Sequence, residues 1–266
     1  MMKAGFAEVN GTRLYYEVMG EGNNIVLIHA GKLDRRMWDD QFNQFAKHYK
    51  VIRYDVRGYG KSEIPQKPYS DVEDLYSLLN FLNVRKTCLI GSSMGGKIAI
   101  DFTLVHPEMV SALIPVSSDL SGWNWNWSDE IVQKYQKILE TARDEGESKA
   151  VEMWLKFPLS PVIEDPAIAA KVRKIVEENS HVFLLNPLIR RELKPPAMQR
   201  LSEIHVPTLI TRGEKDIQNF IDIADTLEKN IVGAKKVIMP GCGHCVNLEK
   251  PKEFNRIVLD FLKERI

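Results

Sequence analysis

The sequence from residue 87 to residue 105 passes from a short apolar run, through a glycine-rich turn, into a run with helical spacing. The turn reads Gly91-Ser92-Ser93-Met94-Gly95, a G-x-S-x-G pattern with Ser93 at its centre. Only small residues fit beside a turn this tight, because the strand and the helix approach each other closely there. The pattern predicts a strand from Thr87 to Ile90, a sharp turn, and a helix from Ser93 to Val105, with the Ser93 hydroxyl at the end of the strand.

Strand-like and helix-like runs alternate along much of the remaining chain. The predicted strands are Arg13 to Val18, Ile25 to Ile28, Val51 to Tyr54, Thr87 to Ile90, Val110 to Val116, Thr208 to Thr211 and Ala234 to Met239. The predicted helices are Met37 to His48, Val72 to Leu82, Ser93 to Val105, Phe220 to Asn230 and Lys252 to Arg265. This order predicts an α/β fold in which a mostly parallel, twisted sheet is covered by helices on both faces.

Between Ser121 and Pro196 the alternation stops, and the chain is helical in pattern, interrupted by prolines and rich in tryptophan. We interpret residues 121–196 as a helical cap over the carboxyl ends of the strands, inserted into a core domain of residues 1–120 and 197–266. Ligand sites in open α/β sheets lie at that edge, which makes Trp123, Trp125 and Trp154 candidates to line a substrate pocket. The alternative, that these tryptophans fill the core of the cap itself, stays open.

The charge balance argues against polyanionic partners. Lysine plus arginine and aspartate plus glutamate number 36 each, so the net charge is zero and predicts neither a nucleic-acid partner nor an acidic membrane surface. No apolar run approaches the roughly 20 residues of a membrane-spanning helix, and residues 1–10 lack the apolar stretch of a signal peptide. We expect a cytoplasmic protein that binds a small-molecule substrate, and the sequence does not exclude a homodimer.

The three cysteines are too few for a disulfide framework. Two of them occur in Cys242-Gly243-His244-Cys245, which is similar to redox and zinc motifs. The motif follows a predicted strand near the end of the chain instead of opening a helix, and it offers three close ligands without an evident fourth. We therefore expect no metal and no organic cofactor. The sequence leaves open whether Cys242 and Cys245 oxidise.

A serine hydroxyl is a weak nucleophile, so it needs a base, and the base needs a partner that orients it. We take His244 as the base, because it follows the last predicted strand on a glycine-rich loop that reaches the sheet edge. The candidate acid is Asp216, just past the strand Thr208 to Thr211. Asp119, just past another strand, is the rival, and Glu214 is a weaker alternative.

The order Ser93, Asp216, His244 around a G-x-S-x-G turn resembles that of the α/β-hydrolase superfamily, and the resemblance covers nearly the whole chain. Ile28-His29-Ala30-Gly31 is similar to the oxyanion loop of that family. The stretch from Asp55 to Ser62 is similar to its Asp-x-Arg-Gly-x-Gly-x-Ser turn, for which we expect a structural role. Gly241-Cys242-Gly243-His244 is similar to its Gly-x-Gly-His loop.

The resemblance implies that the backbone N–H groups of Gly31 and Met94 form an oxyanion hole. Ala30 stands where the family usually has glycine, and an alanine fits only if its φ angle is negative. The path of this loop, and whether Gly31 or Lys32 donates, therefore stays open.

The implied chemistry is acyl transfer through Ser93, and the leading expectation is a carboxylic-ester hydrolase for small to medium, largely apolar substrates. The same family contains C–C bond hydrolases, lactonases and cofactor-free haloperoxidases, as well as ligand-sensing proteins with slow turnover that signal to a partner. The sequence does not separate these activities, because the cap sets the specificity and a fold does not name a substrate. A serine nucleophile disfavours haloalkane dehalogenase and epoxide hydrolase chemistry, since the matching members use aspartate.

Overall fold

The computed structural model of the chain describes residues 2–265. Within them, eight strands form one sheet: β1 (Lys3–Val9), β2 (Thr12–Met19), β3 (Asn24–Ile28), β4 (Lys50–Tyr54), β5 (Thr87–Ser92), β6 (Val110–Val116), β7 (Leu209–Gly213) and β8 (Lys235–Met239). The α-helices of this range are α1 (Asp39–Phe45), α2 (Asp71–Phe81), α3 (Met94–Val105), α4 (Asp129–Asp144), α5 (Glu147–Trp154), α6 (Pro166–Glu178), α7 (Gln218–Asn230), α8 (Val246–Glu249) and α9 (Pro251–Arg265).

The strands are arranged in the order β1-β2-β4-β3-β5-β6-β7-β8. Strand β2 runs antiparallel to both of its neighbours, and every pair from β4 to β8 is parallel. The predicted α/β fold with a mostly parallel sheet is confirmed. Both ends of every predicted strand lie within two residues of the ends of an observed strand. Parallel order brings the carboxyl ends of β5, β6, β7 and β8 to one edge of the sheet, where the loops that follow them meet.

Two apolar layers cover the sheet, one on each face. Successive side chains of a strand point to opposite faces, and β3 shows this clearly. Ile25 and Leu27 pack in the same cluster as Phe42 of α1 and Phe254 of α9. Val26 and Ile28, the alternate residues, pack with α2, α3 and α7 in the other cluster. Because both faces are buried, residues 25–28 of β3 form a wholly apolar run rather than an alternating one.

The first strand, β1, is absent from the sequence prediction. It pairs with β2 as a hairpin whose connecting residues are Asn10 and Gly11, with φ angles of 46° and 66°. Two successive residues in the left-handed region are the signature of a type I′ turn, for which Asn-Gly is the preferred sequence. The strand itself is mostly exposed, so its side chains carry little of the apolar pattern that identifies buried strands.

The helix predicted from Met37 to His48 is shorter than expected and is preceded by a 3-10 helix, Arg35–Trp38. Asp34 accepts a hydrogen bond from the Arg36 backbone N–H and so begins this tighter turn. The α-helical part, α1, then runs from Asp39 to Phe45. The predicted apolar face is nevertheless the buried one, since Trp38, Phe42 and Phe45 are at most 1% exposed.

Three helices, α4, α5 and α6, occupy the chain between β6 and β7 together with several short 3-10 turns. Their apolar sides, among them Ile138, Trp154 and Ile175, join the cluster that covers one face of the sheet. The division into a core of residues 1–120 and 197–266 and a cap of residues 121–196 stays a prediction. Across residues 2–265, no helix combines the length and the apolar character that crossing a bilayer requires.

Candidate active site

Ser93 occupies the turn between β5 and α3 with φ 50° and ψ −114°, a backbone conformation that non-glycine residues rarely adopt. A Cβ atom at Gly91 would overlap the backbone of Gly95, and one at Gly95 would overlap the backbone of Ile28. The Ser93 N–H donates to the Val116 carbonyl at 2.9 Å, which ties the turn to β6. The glycines therefore allow the close approach, and the partly exposed Ser93 side chain lines a cavity.

His244 and Asp216 form a buried hydrogen-bonded pair at the same edge of the sheet. The loops after β7 and β8, which are neighbouring strands, carry them. The His244 Nδ1–H donates to Asp216 Oδ1 at 2.9 Å, and the Ile217 backbone N–H donates to the same oxygen at 2.8 Å. Of the three acids considered from the sequence, Asp216 is therefore the one that contacts His244, whereas Glu214 accepts from the Gly241 backbone N–H at 2.8 Å. The bond fixes the tautomer in which Nε2 carries a lone pair.

Burial alone would raise the pKa of the Asp216 carboxyl, but the charge of His244 and its hydrogen bond outweigh that effect. The net result is a pKa below the ordinary value, so Asp216 is ionised at neutral pH. The Phe220 ring, whose centroid is 4.3 Å from that of the His244 imidazole, packs against the base and restricts its rotation.

Asp119, the rival acid, lies in the cavity but makes different contacts. Its backbone N–H donates to the Ser93 carbonyl at 3.1 Å, and its Oδ1 accepts from the Leu120 N–H at 2.6 Å. Burial raises the pKa of Asp119, the opposite direction from Asp216. Asp119 therefore lines the cavity and caps Leu120, and it does not orient His244.

Gly31, on the loop after β3, and Met94, the first residue of α3, both line the cavity. The residue of this loop in the left-handed region is Lys32, with φ 65°, so the alanine at position 30 is accommodated without positive φ. Both predicted oxyanion-hole residues thus line the same cavity as Ser93.

His29 has a structural role that the sequence analysis did not assign to it. Its Nδ1–H donates to the Ala30 carbonyl at 2.8 Å, and its Nε2 accepts from the Val56 N–H at 2.9 Å. Burial lowers the pKa of His29 to about 4, so the ring is neutral and supplies one donor and one acceptor. The imidazole therefore joins the oxyanion loop to the turn that begins at Asp55.

That turn, from Asp55 to Ser62, makes contacts within the core. Asp55 accepts from the Arg35 backbone and guanidinium at 3.0 and 2.8 Å, and burial raises its pKa to about 6. The Arg57 guanidinium donates to Asp74 at 2.6 Å and is 6% exposed. Tyr59 lies in the cavity lining.

The cavity has a volume of about 530 Å³, within the usual range for small-molecule sites. Its base includes Ser93, Met94, Gly31 and His244. Its walls are mostly apolar side chains from the chain between β6 and β7: Trp125, Trp127, Ile131, Val132, Tyr135, Trp154, Phe157 and Leu159. The helical segment thus encloses the space above the serine.

The three tryptophans predicted from the sequence do not share one position. Trp125 and Trp154 line the cavity, whereas Trp123 is absent from the described lining. The Trp123 indole N–H instead donates to Asn219 Oδ1 at 3.3 Å, which directs the ring toward α7. Trp127 takes the expected place, stacked on Trp125 with ring centroids 5.0 Å apart.

The cysteines around His244 are buried free thiols. Burial raises the pKa of Cys242 to about 11 and raises that of Cys245 well above its ordinary value. In the described range of the chain, no three His, Cys, Asp or Glu side chains are grouped closely enough to hold a metal ion.

Comparison with known proteins shows the family of the chain. The family model for the alpha/beta hydrolase fold matches residues 23–251. The chain belongs to the α/β-hydrolase family. A crystal structure of the enol-lactonase from Burkholderia xenovorans LB400 superposes on this α/β-hydrolase with a TM-score of 0.79 and 25% identity, covering 97% of this chain and 100% of the other.

Two curated relatives match this hydrolase over nearly their whole length. A Bacillus subtilis protein provisionally named 2-succinyl-6-hydroxy-2,4-cyclohexadiene-1-carboxylate synthase is 29% identical, with 93% of this chain and 94% of the relative covered. A 2-hydroxy-6-oxononadienedioate/2-hydroxy-6-oxononatrienedioate hydrolase of Comamonas testosteroni is 27% identical, with 94% and 91% covered. The relatives therefore differ in reaction while sharing the fold.

Proposed function

We propose that the protein is a serine hydrolase that cleaves carboxylic esters of small to medium, largely apolar substrates through an acyl-enzyme on Ser93. The observation that carries the proposal is the buried His244–Asp216 hydrogen bond, which lies at the base of the cavity that Ser93 lines. These three side chains are the parts that acyl transfer by serine needs: nucleophile, base and orienting acid.

In the first step, Ser93 Oγ attacks the substrate carbonyl while His244 Nε2 takes its proton. Asp216 holds the tautomer that leaves Nε2 free and stabilises the imidazolium that forms. The low pKa of Asp216 suits this part, because a carboxylate stabilises a positive ring and a neutral carboxyl does not.

The oxygen that becomes negative is held by the backbone N–H groups of Gly31 and Met94. Each such donor contributes about 3 kcal/mol to the stability of the transition state. The protonated His244 then delivers its proton to the leaving alcohol, and after the alcohol departs it activates a water molecule that releases the acid and restores Ser93.

The aromatic walls support a largely apolar substrate. Trp154 stacks on Phe157 with ring centroids 5.2 Å apart, and Trp125 stacks on Trp127. Such surfaces bind hydrocarbon and aromatic groups by excluding water. A cavity of about 530 Å³ accommodates a small to medium molecule.

A second candidate is hydrolysis of a lactone or of a C–C bond next to a carbonyl. The supporting observation is the pair of proteins named above, an enol-lactonase and a dienedioate hydrolase, which match nearly all of this chain. A lactone is a cyclic ester, so the same steps apply to it. We further propose a small-molecule substrate, which a cavity of about 530 Å³ supports, and we keep the expectation of a cytoplasmic location from the sequence as a proposal.

Pre-steady-state kinetics on a series of 4-nitrophenyl esters tests the proposal. We expect a burst of 4-nitrophenol or steady turnover in the wild type, and an acyl adduct on Ser93 by mass spectrometry. Ser93→Ala should lose all of these. Ser92→Ala is the matched control, because Ser92 is the adjacent serine, is fully buried and belongs to β5.

Hydrolysis that survives in Ser93→Ala would exclude the assignment of the nucleophile. A folded wild type that turns over no ester but cleaves a 2-hydroxy-6-oxodienoate would favour the second candidate. Binding of ligands without turnover of either class would favour a sensing protein.

A further inference from the structure

The cavity is apolar apart from a few charged groups, and these are not equivalent. Arg190 is compensated within the protein: its Nε lies 3.0 Å from Asp71 Oδ2 and 3.3 Å from the Tyr69 hydroxyl. Lys32 also lines the cavity. Among residues 2–265, no carboxylate oxygen lies within 4.0 Å of its Nζ.

The contacts of the Lys32 ammonium hold it in place without neutralising it. Its Nζ donates to the Val182 carbonyl at 3.3 Å and lies 4.7 Å from the centre of the Phe183 ring. A carbonyl and a ring face stabilise a cation, but neither carries a full negative charge. An ammonium has three donors, and within the part of the chain that the structure describes one of them meets a hydrogen-bond acceptor.

The surroundings of Lys32 oppose its charge. Burial lowers its pKa to about 8, and the positive charge of Arg190 acts in the same direction. At neutral pH the group remains mostly protonated. A cation in a partly buried apolar site without a counter-ion is costly, and an anion that enters the cavity removes that cost.

We propose that Lys32 binds the substrate, and that the physiological substrate carries a carboxylate on its otherwise apolar acyl part. The Phe183 ring beneath the ammonium packs edge-on against Trp154, with centroids 6.2 Å apart, so the anion site continues into the aromatic wall. Lys32 directly follows Gly31, the oxyanion-hole residue. One short molecule therefore places its carbonyl at Gly31 and its carboxylate at Lys32.

The kinetic test of this proposal rests on the proposed ester hydrolysis, whereas the binding of the carboxylate by Lys32 is tested separately. The kinetic test compares mono-4-nitrophenyl adipate with 4-nitrophenyl hexanoate, which have six-carbon acyl chains and differ in the terminal carboxylate. We expect Lys32→Met to lower the ratio of kcat/KM for adipate over hexanoate by roughly tenfold or more, the usual effect of a hydrogen bond between charged groups. Lys32→Arg, which keeps the charge, should recover part of the ratio.

Lys86→Met is the matched control, because Lys86 is exposed on the turn before β5 and should leave the ratio as in the wild type. An unchanged ratio in Lys32→Met would overturn the proposal. Circular dichroism and the melting temperature check that each variant is folded.

The binding test uses Ser93→Ala, which does not depend on turnover. By calorimetry, this variant should bind monomethyl adipate more tightly than methyl hexanoate, and adding Lys32→Met should abolish the difference. Equal affinity for the two molecules in Ser93→Ala overturns the anion site, whatever the enzyme cleaves. The protein could also lack esterase activity and still prefer monomethyl adipate, with the preference lost in Lys32→Met. That result would support the anion site and exclude only the proposed ester hydrolysis.

Discussion

Asn179, just after α6, donates through its Nδ2 to the carboxylate of Asp34 at 2.8 Å. Its Oδ1 accepts from the Gly60 backbone N–H at 2.6 Å, and the whole residue is buried. One amide thus connects the helical segment above the cavity with the loop that carries Gly31 and with the turn that begins at Asp55. The position of the helices relative to the serine therefore depends on this side chain.

Asn179→Ala should destabilise the protein, because the substitution leaves the partly buried Gly60 N–H and an oxygen of the buried Asp34 with fewer partners. We expect a loss of about 2–4 kcal/mol in the free energy of unfolding by urea titration, from about 1–3 kcal/mol per unpaired group. Asn80→Ala, on the exposed side of α2, should change it by less than about 0.5 kcal/mol. Equal stability of the two variants would contradict a connecting role for Asn179.

Asp216→Asn should reduce kcat steeply, because an amide does not stabilise the imidazolium and permits the wrong tautomer of His244. The expected loss is about 10⁴-fold, as for other triads that lose the acid. Asp119→Asn should have a far smaller effect on kcat, since its carboxylate caps Leu120 and does not contact His244. A reversed order of the two losses would identify Asp119 as the orienting acid.

Asp101→Asn should stabilise the protein at alkaline pH and not at acid pH. Burial raises the pKa of Asp101 to about 7, although the Ser121 hydroxyl donates to it at 2.6 Å. A carboxyl with a raised pKa binds its proton more tightly in the folded state, so the free energy of unfolding falls as pH rises from about 4 to about 7. Asparagine does not ionise and avoids that loss, which amounts to about 2–4 kcal/mol.

Denaturant titrations at pH 4.5 and pH 8 check this prediction. The advantage of Asp101→Asn should be present at pH 8 and nearly absent at pH 4.5. Asp260→Asn, at an exposed position of α9, is the matched control for the chemical change itself. A constant advantage at both pH values would contradict ionisation as the cause.

The thiols should be unreactive in the native state. All three cysteines are at most 1% exposed, and burial raises the pKa of each, so few thiolates are present to react. We expect Ellman's reagent to label none within minutes in the folded enzyme and all three in urea. Only one reactive thiol in urea would instead indicate a disulfide between Cys242 and Cys245.

The elements that sequence analysis predicted well are those with strong local signals. Strand β5, the Ser93 turn and α3 follow from an apolar run, two glycines and helical spacing. Strand β1 lacks such a signal, because it is an exposed edge strand held by pairing with β2. The Asn10-Gly11 pair between them was the feature that could have revealed the hairpin.

The site was predictable where the order of strands decides it. Asp216 and His244 follow successive strands, so the fold brings them to one edge. The parts that depend on side-chain direction were not predictable: Trp127, and not Trp123, faces the cavity, since a hydrogen bond to Asn219 directs Trp123 elsewhere. Nor does local sequence tell that Lys32 has no carboxylate partner among residues 2–265, because partners come from distant parts of the chain.

The helices α4 to α6 leave the sheet after β6 and return at β7, and these two strands are neighbours. A replacement of the residues between them therefore preserves every strand pairing, and the entropy of closing a longer or shorter connection changes only with the logarithm of its length. Evolution can therefore exchange the helical segment between β6 and β7 without disturbing the sheet. A different segment would change which molecules enter the cavity, while Ser93, His244 and Asp216 keep their positions.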